Sequence, residues 1–378
     1  MQWSKVHYMP QAKWKFGERT AIGQLEGWKS EAICPIFRLN PPGDYDPAVG
    51  AKITPDVFLK TFGSQLQEAR GRLPSIIDGA AIESLRNDET GSLFFADLLE
   101  RARLAGANPI PAFSPNSSPE YLTAVGNFAS GSSGQGACLR IDVADLEFFD
   151  DRDNLLKECA KVDILPSDCL LLIDAGPLTV TNLEEFTTIV ANQFARLIRD
   201  GDWRAVVWSA GAFPERDFLK AGESGSFERN EWKLFREMFE RKEEFSVFPI
   251  FSDYLLEYPR PAVIRGISPT AKILYSTENR FFIFKGRSVK VDAKYKNIFG
   301  VAKRVVDSGI FKGENFSAAD HRIVELSKEQ GGTGHAGTWR WIATAHHLEV
   351  VAGQLNAMFE LGLADQRAAV EPDQLRLV

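Results

Sequence analysis

The chain has 378 residues, of which 44% are hydrophobic and 25% are charged, and its formal net charge is −7. This composition is that of an ordinary soluble protein with enough apolar residues to form a core. The negative charge argues against a protein that binds nucleic-acid phosphates over a broad surface, but it does not exclude a local basic patch.

No run of 18 apolar residues and no apolar leader segment at the N-terminus is visible, so the sequence predicts a cytoplasmic protein without a membrane partner. The four cysteines lack C-x-x-C spacing, and Cys34 and Cys138 fall inside apolar strand patterns. Small buried thiols are the expected interpretation, with neither a zinc site nor a disulfide framework.

Short apolar segments recur along the chain, and an amphipathic helix pattern follows most of them. Strands that alternate with helices pair in parallel, and eight such units can close a barrel. We therefore predict a single α/β domain of the TIM-barrel, or (β/α)8, type. The predicted strands are Ile33–Leu39, Pro74–Asp78, Ile110–Phe113, Cys138–Val143, Leu170–Asp174, Ala205–Trp208, Val247–Phe251 and Lys272–Tyr275.

The end of the chain departs from a regular barrel. The tract DYLLEYPRPAVIRGISP after the seventh strand has three prolines and no helix pattern, so the seventh unit is expected to be irregular. Residues 271–287 are typical of a β-hairpin, which makes the eighth unit irregular too. A last strong helix is predicted over 338–361. We expect a barrel over 1–310 and a helical segment over 311–378 that packs on it.

Acidic residues end several of the predicted strands, where barrel enzymes build their sites. Asp142, Asp174 and Arg140 are candidate catalytic residues, because converging carboxylates could hold Mg²⁺ or Ca²⁺ or divide acid and base roles. The alternative is that each Asp caps its own turn. Further candidate binding residues at this rim are Arg38, Asp78 and Asp253.

The segment TWRWIATAHH opens the last helix and holds further candidates for binding. Trp339 and Arg340 form an aromatic and basic cluster of the kind enriched in protein interfaces, and His346 lies on the same helix face as Trp339. The alternative is that Trp339 and His346 pack the helix onto the protein. Adjacent His346 and His347 point about 100° apart, so a shared metal ion is not expected.

Several tracts resemble the Beta protein family, which is named after a protein of satellite phages. They are YMPQAKWKFGERTAIGQL with ICPIFRL, then WRAVVWSAGAFPE, FPIFSDYLLEYPRP, AKILYSTENRFFIFKG, FSAADHRI and TWRWIATAHH. The resemblance implies a prophage gene beside a killing protein called Gop and a small CII-like regulator, in a cassette for anti-phage defence. It names no catalytic residue.

Two hypotheses follow. The first is an antitoxin-like or immunity component without enzymatic activity, which binds a toxin or a phage protein through protein–protein contacts and needs no cofactor. The second is a metal-assisted barrel hydrolase, such as a phosphodiesterase, that uses the strand-end aspartates with Mg²⁺ or Ca²⁺. Nucleic acid is not an expected partner under the first hypothesis.

Overall fold

The computed structural model describes residues 3–132, 135–178, 182–260, 270–288 and 295–361. The chain forms two compact units. The barrel unit contains the chain up to Trp14, Lys29–Gly211 and Glu231–Tyr254, and the second unit contains Lys15–Trp28, Ala212–Asn230 and the chain from Leu255 onward. The boundary placed at residue 310 by the sequence, and the packing of 311–378 on the barrel, stay predictions.

Strands and helices alternate through most of the chain. The strands are β1 Gln11–Lys13, β2 Ile36–Arg38, β3 Tyr45–Asp46, β4 Ala51–Lys52, β5 Pro74–Asp78, β6 Asn108–Phe113, β7 Ala137–Asp142, β8 Cys169–Pro177, β9 Ala205–Gly211, β10 Ser224–Glu228, β11 Ile250–Ser252, β12 Thr270–Ser276 and β13 Arg280–Ser288. The helices are α1 Phe16–Gly23, α2 Trp28–Ala32, α3 Pro55–Arg70, α4 Phe94–Leu104, α5 Pro119–Gly126, α6 Arg152–Leu156, α7 Leu183–Leu197, α8 Asn230–Glu240, α9 Asn297–Val306, α10 Ala318–Ser327 and α11 Ala336–Met358.

The barrel unit holds an eight-stranded sheet in the order β1-β2-β5-β6-β7-β8-β9-β11, and every neighbouring pair is parallel. The two edges meet, because the Met9 amide donates to the Phe251 carbonyl at 2.9 Å and the Gln11 amide to the Asp253 carbonyl at 2.7 Å. Eight parallel strands therefore form a nearly closed barrel, which confirms the predicted fold class.

The prediction of the eighth barrel strand from the sequence is wrong. Lys272–Tyr275 lies in β12, which pairs antiparallel with β13 as the predicted hairpin and belongs to another sheet. A hairpin partner a few residues away is reached at a lower entropy cost than a distant parallel edge. The missing barrel strand is β1, whose three residues Gln-Ala-Lys carry no apolar run that could have revealed it.

The seventh unit is irregular as expected. The strand predicted at Val247–Phe251 forms as β11, and the chain from Asp253 to Arg260 has no helix or strand. Residues 261–269, which complete the proline-rich tract, lie outside the described residues.

The second unit is built on a three-stranded antiparallel sheet in the order β10-β13-β12. Helices α9, α10 and α11 pack on it through a buried apolar cluster that includes Ile273, Phe284, Val301, Ile323 and Ile342. The last predicted helix is confirmed as α11. Strand β10 was not predicted, because its sequence Ser-Gly-Ser-Phe-Glu lies in a polar loop pattern.

Two glycines in helices provide a matched test of packing. A methyl group on buried Gly63 of α3 would lie 2.5 Å from the carbonyl oxygen of Arg101 in α4, whereas one on Gly300 of α9 meets no described heavy atom within 4 Å outside its own helix backbone. We expect Gly63→Ala to lower the free energy of unfolding by about 1–3 kcal/mol through overpacking. Gly300→Ala should raise it by about 0.5–1 kcal/mol, because alanine favours helix. Urea denaturation measures both, and equal effects would contradict the helix contact.

Candidate functional site

The inward-facing positions of the barrel strands change from apolar to polar near their carboxyl ends. Ile76, Leu172 and Val207 belong to the apolar interior. Two residues further along the same strands, on the same face, stand Asp78, Asp174 and Ser209. The barrel therefore has an apolar floor and a polar mouth at the end where barrel sites are built.

Arg140 of β7 joins the two carboxylates of this mouth. Its Nη1 donates to Asp78 Oδ2 at 2.7 Å and its Nη2 to Asp174 Oδ2 at 2.5 Å. Burial alone would lower the pKa of Arg140, but the charges of Asp174 and Asp78 outweigh it and raise that pKa. The guanidinium is therefore a fixed positive charge between two carboxylates.

The remaining carboxylate oxygens accept backbone amides. Asp78 Oδ1 accepts from Ala80 at 3.0 Å, and Asp174 Oδ1 accepts from Gly176 at 2.8 Å. Both oxygens of each carboxylate are thus engaged in hydrogen bonds. The sequence predicts Arg38, Asp78, Arg140, Asp142, Asp174 and Asp253 at one rim. The structure joins Asp78, Arg140 and Asp174, and a functional role for the six residues stays a prediction.

Tyr254, directly after β11, extends the network. Its hydroxyl donates to Asp174 Oδ2 and accepts from Arg140 Nη2 at 3.3 Å. The guanidinium carbon of Arg38 lies 4.6 Å from the centre of the Tyr254 ring, within cation–π range. Burial, followed by the charge of Asp174, raises the pKa of Tyr254, so the phenol stays a neutral donor.

Gln11, Ser209 and Ser252 complete the mouth on its other side. Gln11 Nε2 donates to Ser209 Oγ at 2.7 Å and lies 3.5 Å from Asp174 Oδ2, and Ser252 Oγ donates to Ser209 Oγ at 3.1 Å. Gln11 is only 1% exposed, and its Oε1 finds no hydrogen-bond partner among the described residues. This buried oxygen can accept a hydrogen bond from a bound molecule.

Sequence reasoning missed Gln11, Ser209 and Tyr254. Tyr254 could have been found from its place beside Asp253 at the end of β11. Gln11 could not, because its strand was not recognised.

Two further aspartates stand at strand ends. Asp142 Oδ1 accepts the amide of Ala144 at 3.1 Å and so caps the turn that begins there, by the same bond to the second following residue that Asp78 and Asp174 make. That is the structural alternative weighed for this residue, and a catalytic role for it stays a prediction. Asp253 is buried and accepts the Tyr8 hydroxyl at 2.6 Å, which ties it to the segment that closes the barrel.

In the second unit, Trp339 and Arg340 make internal contacts. Trp339 is buried, and its Nε1 donates to the Thr333 carbonyl at 2.9 Å. Arg340 Nη1 donates to the Leu256 carbonyl at 3.1 Å, and its Nε lies 3.5 Å from Glu18 Oε1. Burial raises the pKa of Glu18, and the charge of Arg340 opposes that rise. An Arg340 variant therefore perturbs the fold as well as any partner contact.

His346 is fully buried in a hydrogen-bonded cluster of the second unit. Its Nδ1 lies 2.8 Å from Asp320 Oδ2 and its Nε2 lies 2.8 Å from the Ser276 carbonyl, so both ring nitrogens face acceptors. Tyr275 donates to Asp320 Oδ1 at 2.8 Å and stacks on the imidazole. The cluster therefore links β12, α10 and α11 through side-chain hydrogen bonds.

The structure also bears on metal binding and on the state of the cysteine thiols. Within the residues that the structure describes, no group of three or more His, Cys, Asp or Glu side chains is placed to hold a metal ion. All four cysteines are buried and free. Burial raises the pKa of Cys34 to about 12, so this thiol is protonated at neutral pH.

Comparison with known proteins adds the family. A protein-family model described as Beta protein matches residues 8–353. The chain belongs to the Beta protein family. No curated protein matches it significantly.

This Beta-family chain is also similar to solved structures. One is triosephosphate isomerase from Bartonella henselae, with 10% identity, a TM-score of 0.33, and coverage of 66% of this chain and 92% of that one. Another is D-psicose 3-epimerase with D-tagatose from Clostridium cellulolyticum H10, with 11% identity, a TM-score of 0.25, and coverage of 69% and 86%. Every helix in the described ranges is too short or too polar to span a bilayer.

Arg140→Met should show what holds the barrel mouth together. It leaves two buried carboxylates without their shared counter-charge, and we expect a loss of roughly 3 kcal/mol in the free energy of unfolding. Asp142→Asn keeps a capping side chain and should cost less than about 1 kcal/mol. Urea denaturation at neutral pH compares the two variants. Similar costs would show that Arg140 is not the central charge.

We expect the stability of the protein to depend on pH through Asp320. Burial alone would raise its pKa, but His346, Ser317 and Tyr275 together hold that pKa below its usual value. A lowered folded-state pKa adds stability that is fully present above about pH 4 and is lost as the pH falls further. Asp320→Asn should therefore flatten the fall in melting temperature between neutral pH and pH 3. Asp307→Asn, at an exposed carboxylate, is the control and should keep the wild-type slope.

Proposed function

We propose that this Beta-family chain is an interaction or immunity component of an anti-phage defence system. In this proposal it acts in the cytoplasm in an antitoxin-like manner, and its partner is a protein, either a toxin or a phage protein. The family membership supports the context. The resemblance on which the context depends implies a killing protein encoded beside it.

One observation at the barrel mouth favours binding over catalysis. The carboxylates of Asp78 and Asp174 direct their outer oxygens to Arg140 and their inner oxygens to backbone amides. A general base or a metal ligand needs an accessible lone pair, and each of these four carboxylate oxygens already accepts a hydrogen bond. A pre-organised, hydrogen-bonded network of this kind is suited to recognise a polar group without reacting with it.

A metal-assisted hydrolase remains the second candidate. Asp142 and Asp174 are direct neighbours in the register of β7 and β8, so their strands bring two carboxylates to the same level of the barrel. Mg²⁺ or Ca²⁺ would be the cofactor in that case. Asp142 would then have to exchange its capping bond for a metal ligand.

A survival experiment tests the proposal. Host cells that carry this gene beside the neighbouring killing gene should lose viability when this gene is deleted, and a copy supplied in trans should restore it. The stabilised Gly300→Ala chain should restore it equally well, because that position lies far in sequence from the barrel mouth.

A hydrolysis assay on the purified chain decides between the two candidate functions. The purified wild-type chain should not hydrolyse bis(p-nitrophenyl) phosphate with Mg²⁺ or Ca²⁺ present. Metal-dependent hydrolysis that Asp142→Asn abolishes would overturn the proposal in favour of the enzyme. Unchanged viability after deletion would also contradict it.

A further inference from the structure

The loop after β7 presents an aromatic side chain to solvent. Phe148 is 81% exposed, whereas burying a Phe side chain is worth roughly 1.5–3 kcal/mol. The loop leaves the carboxyl end of its strand, at the end of the barrel where Arg140 and the polar mouth lie. A single exposed apolar residue needs no explanation by itself, so the argument depends on how the loop around it is built.

This loop, residues 142–153, is held in place by hydrogen bonds from a side chain of helix α7. The guanidinium of Arg196 in α7 donates to the carbonyls of Phe149 at 2.6 Å, Asp150 at 3.0 Å and Leu146 at 3.4 Å. Leu146 itself is fully buried. The carbonyl oxygens on both sides of Phe148 are thus fixed to a helix, and the exposed ring stands on a constrained backbone.

Both ends of the loop are capped as well. Asp142 accepts the amide of Ala144 at 3.1 Å, and Asp151 accepts the amide of Asn154 at 2.8 Å. A surface that is ordered before binding loses little conformational entropy when a partner arrives. The fixed backbone of the loop therefore keeps the Phe148 side chain exposed before any partner binds.

The charge around Phe148 indicates the kind of partner. Residues 142–153 contain six acidic side chains and one basic side chain, Arg152. Arg152 pairs with Asp202 and with Asp153 of the loop itself, so the acidic side chains of the loop still outnumber the basic ones. Glu147 and Asp150, on either side of Phe148, are both exposed. An aromatic anchor inside an acidic rim suits a basic surface and repels nucleic acid.

We propose that the loop of residues 142–153 is the docking surface for a basic protein partner, with Phe148 as the anchor that enters an apolar pocket of that partner. This inference depends on the proposed function and adds to it the surface and the chemistry of the partner. The acidic side chains steer the encounter, and the ring supplies the buried contact.

Binding of the purified chain to the purified neighbouring killing protein tests the surface. Phe148→Ala should raise Kd about 30-fold or more, as the loss of an interface anchor does. Leu104→Ala is the matched control, because Leu104 is 70% exposed at the end of α4, before β6 and hence at the opposite end of the barrel. It should leave Kd unchanged. Both variants should keep the wild-type melting temperature, since neither side chain is packed.

Charge reversal tests the electrostatic part. The double variant Glu147→Lys with Asp150→Lys should slow association and reduce the dependence of Kd on salt, because it removes most of the negative charge of the loop and with it the steering. A partner that binds this variant as well as the wild type would contradict a basic partner surface.

Other outcomes separate the inference from the proposed function. A wild-type chain that preserves host viability but does not bind the killing protein, or a Phe148→Ala chain that binds like Leu104→Ala, would overturn the inference alone. A wild-type chain that neither binds nor preserves viability would overturn both. Self-association that Phe148→Ala abolishes, with killing-protein binding unchanged, would assign the surface to a second copy of the chain instead.

Discussion

The structure depends on the hydrogen bonds that join the first and last strands of the barrel. A parallel sheet with two open edges leaves rows of backbone donors and acceptors unpaired. The amides of Met9 and Gln11 remove that cost by donating to the carbonyls of Phe251 and Asp253. The strand that makes this closure has three residues, and its position also decides where the side chain of Gln11 lies. The same strand therefore closes the barrel and places Gln11 in the polar mouth.

Closing the barrel creates an electrostatic problem that Arg140 resolves. The carboxylates of Asp78 and Asp174 are removed from water, which is costly for unpaired charges. Arg140 stands between them, and its long side chain reaches both from the middle of β7. A buried ion network of this type contributes less to net stability than apolar packing would. Its presence here is better explained by the defined geometry that it imposes on Tyr254, Gln11 and the two carboxylates.

The sequence predicted those features that local patterns encode. Seven barrel strands, the hairpin of β12 and β13 and the long helix α11 follow from apolar runs and periodicity. The rim of Asp78, Arg140 and Asp174 follows from the rule that parallel strands end together. Strand β1 was missed because its residues are Gln, Ala and Lys, and only their pairing with β2 makes them a strand. Asp78, Asp142 and Asp174 resemble one another in sequence, and each accepts the amide two residues further on. Which carboxylates Arg140 reaches depends on side-chain geometry that no residue pattern reports.

Strand β7 and the loop after it divide two roles between adjacent residues. Arg140 points into the barrel, where it pairs with Asp78 and Asp174. Two residues later the acidic loop begins, and Arg196 and Asp151 hold it through backbone atoms. Because these bonds use main-chain groups, the side chains at 147, 148 and 150 are not needed to keep the loop in place. The outer surface can therefore change with a partner while the inner network keeps the barrel intact, which is the condition a recognition loop on a rigid scaffold has to meet.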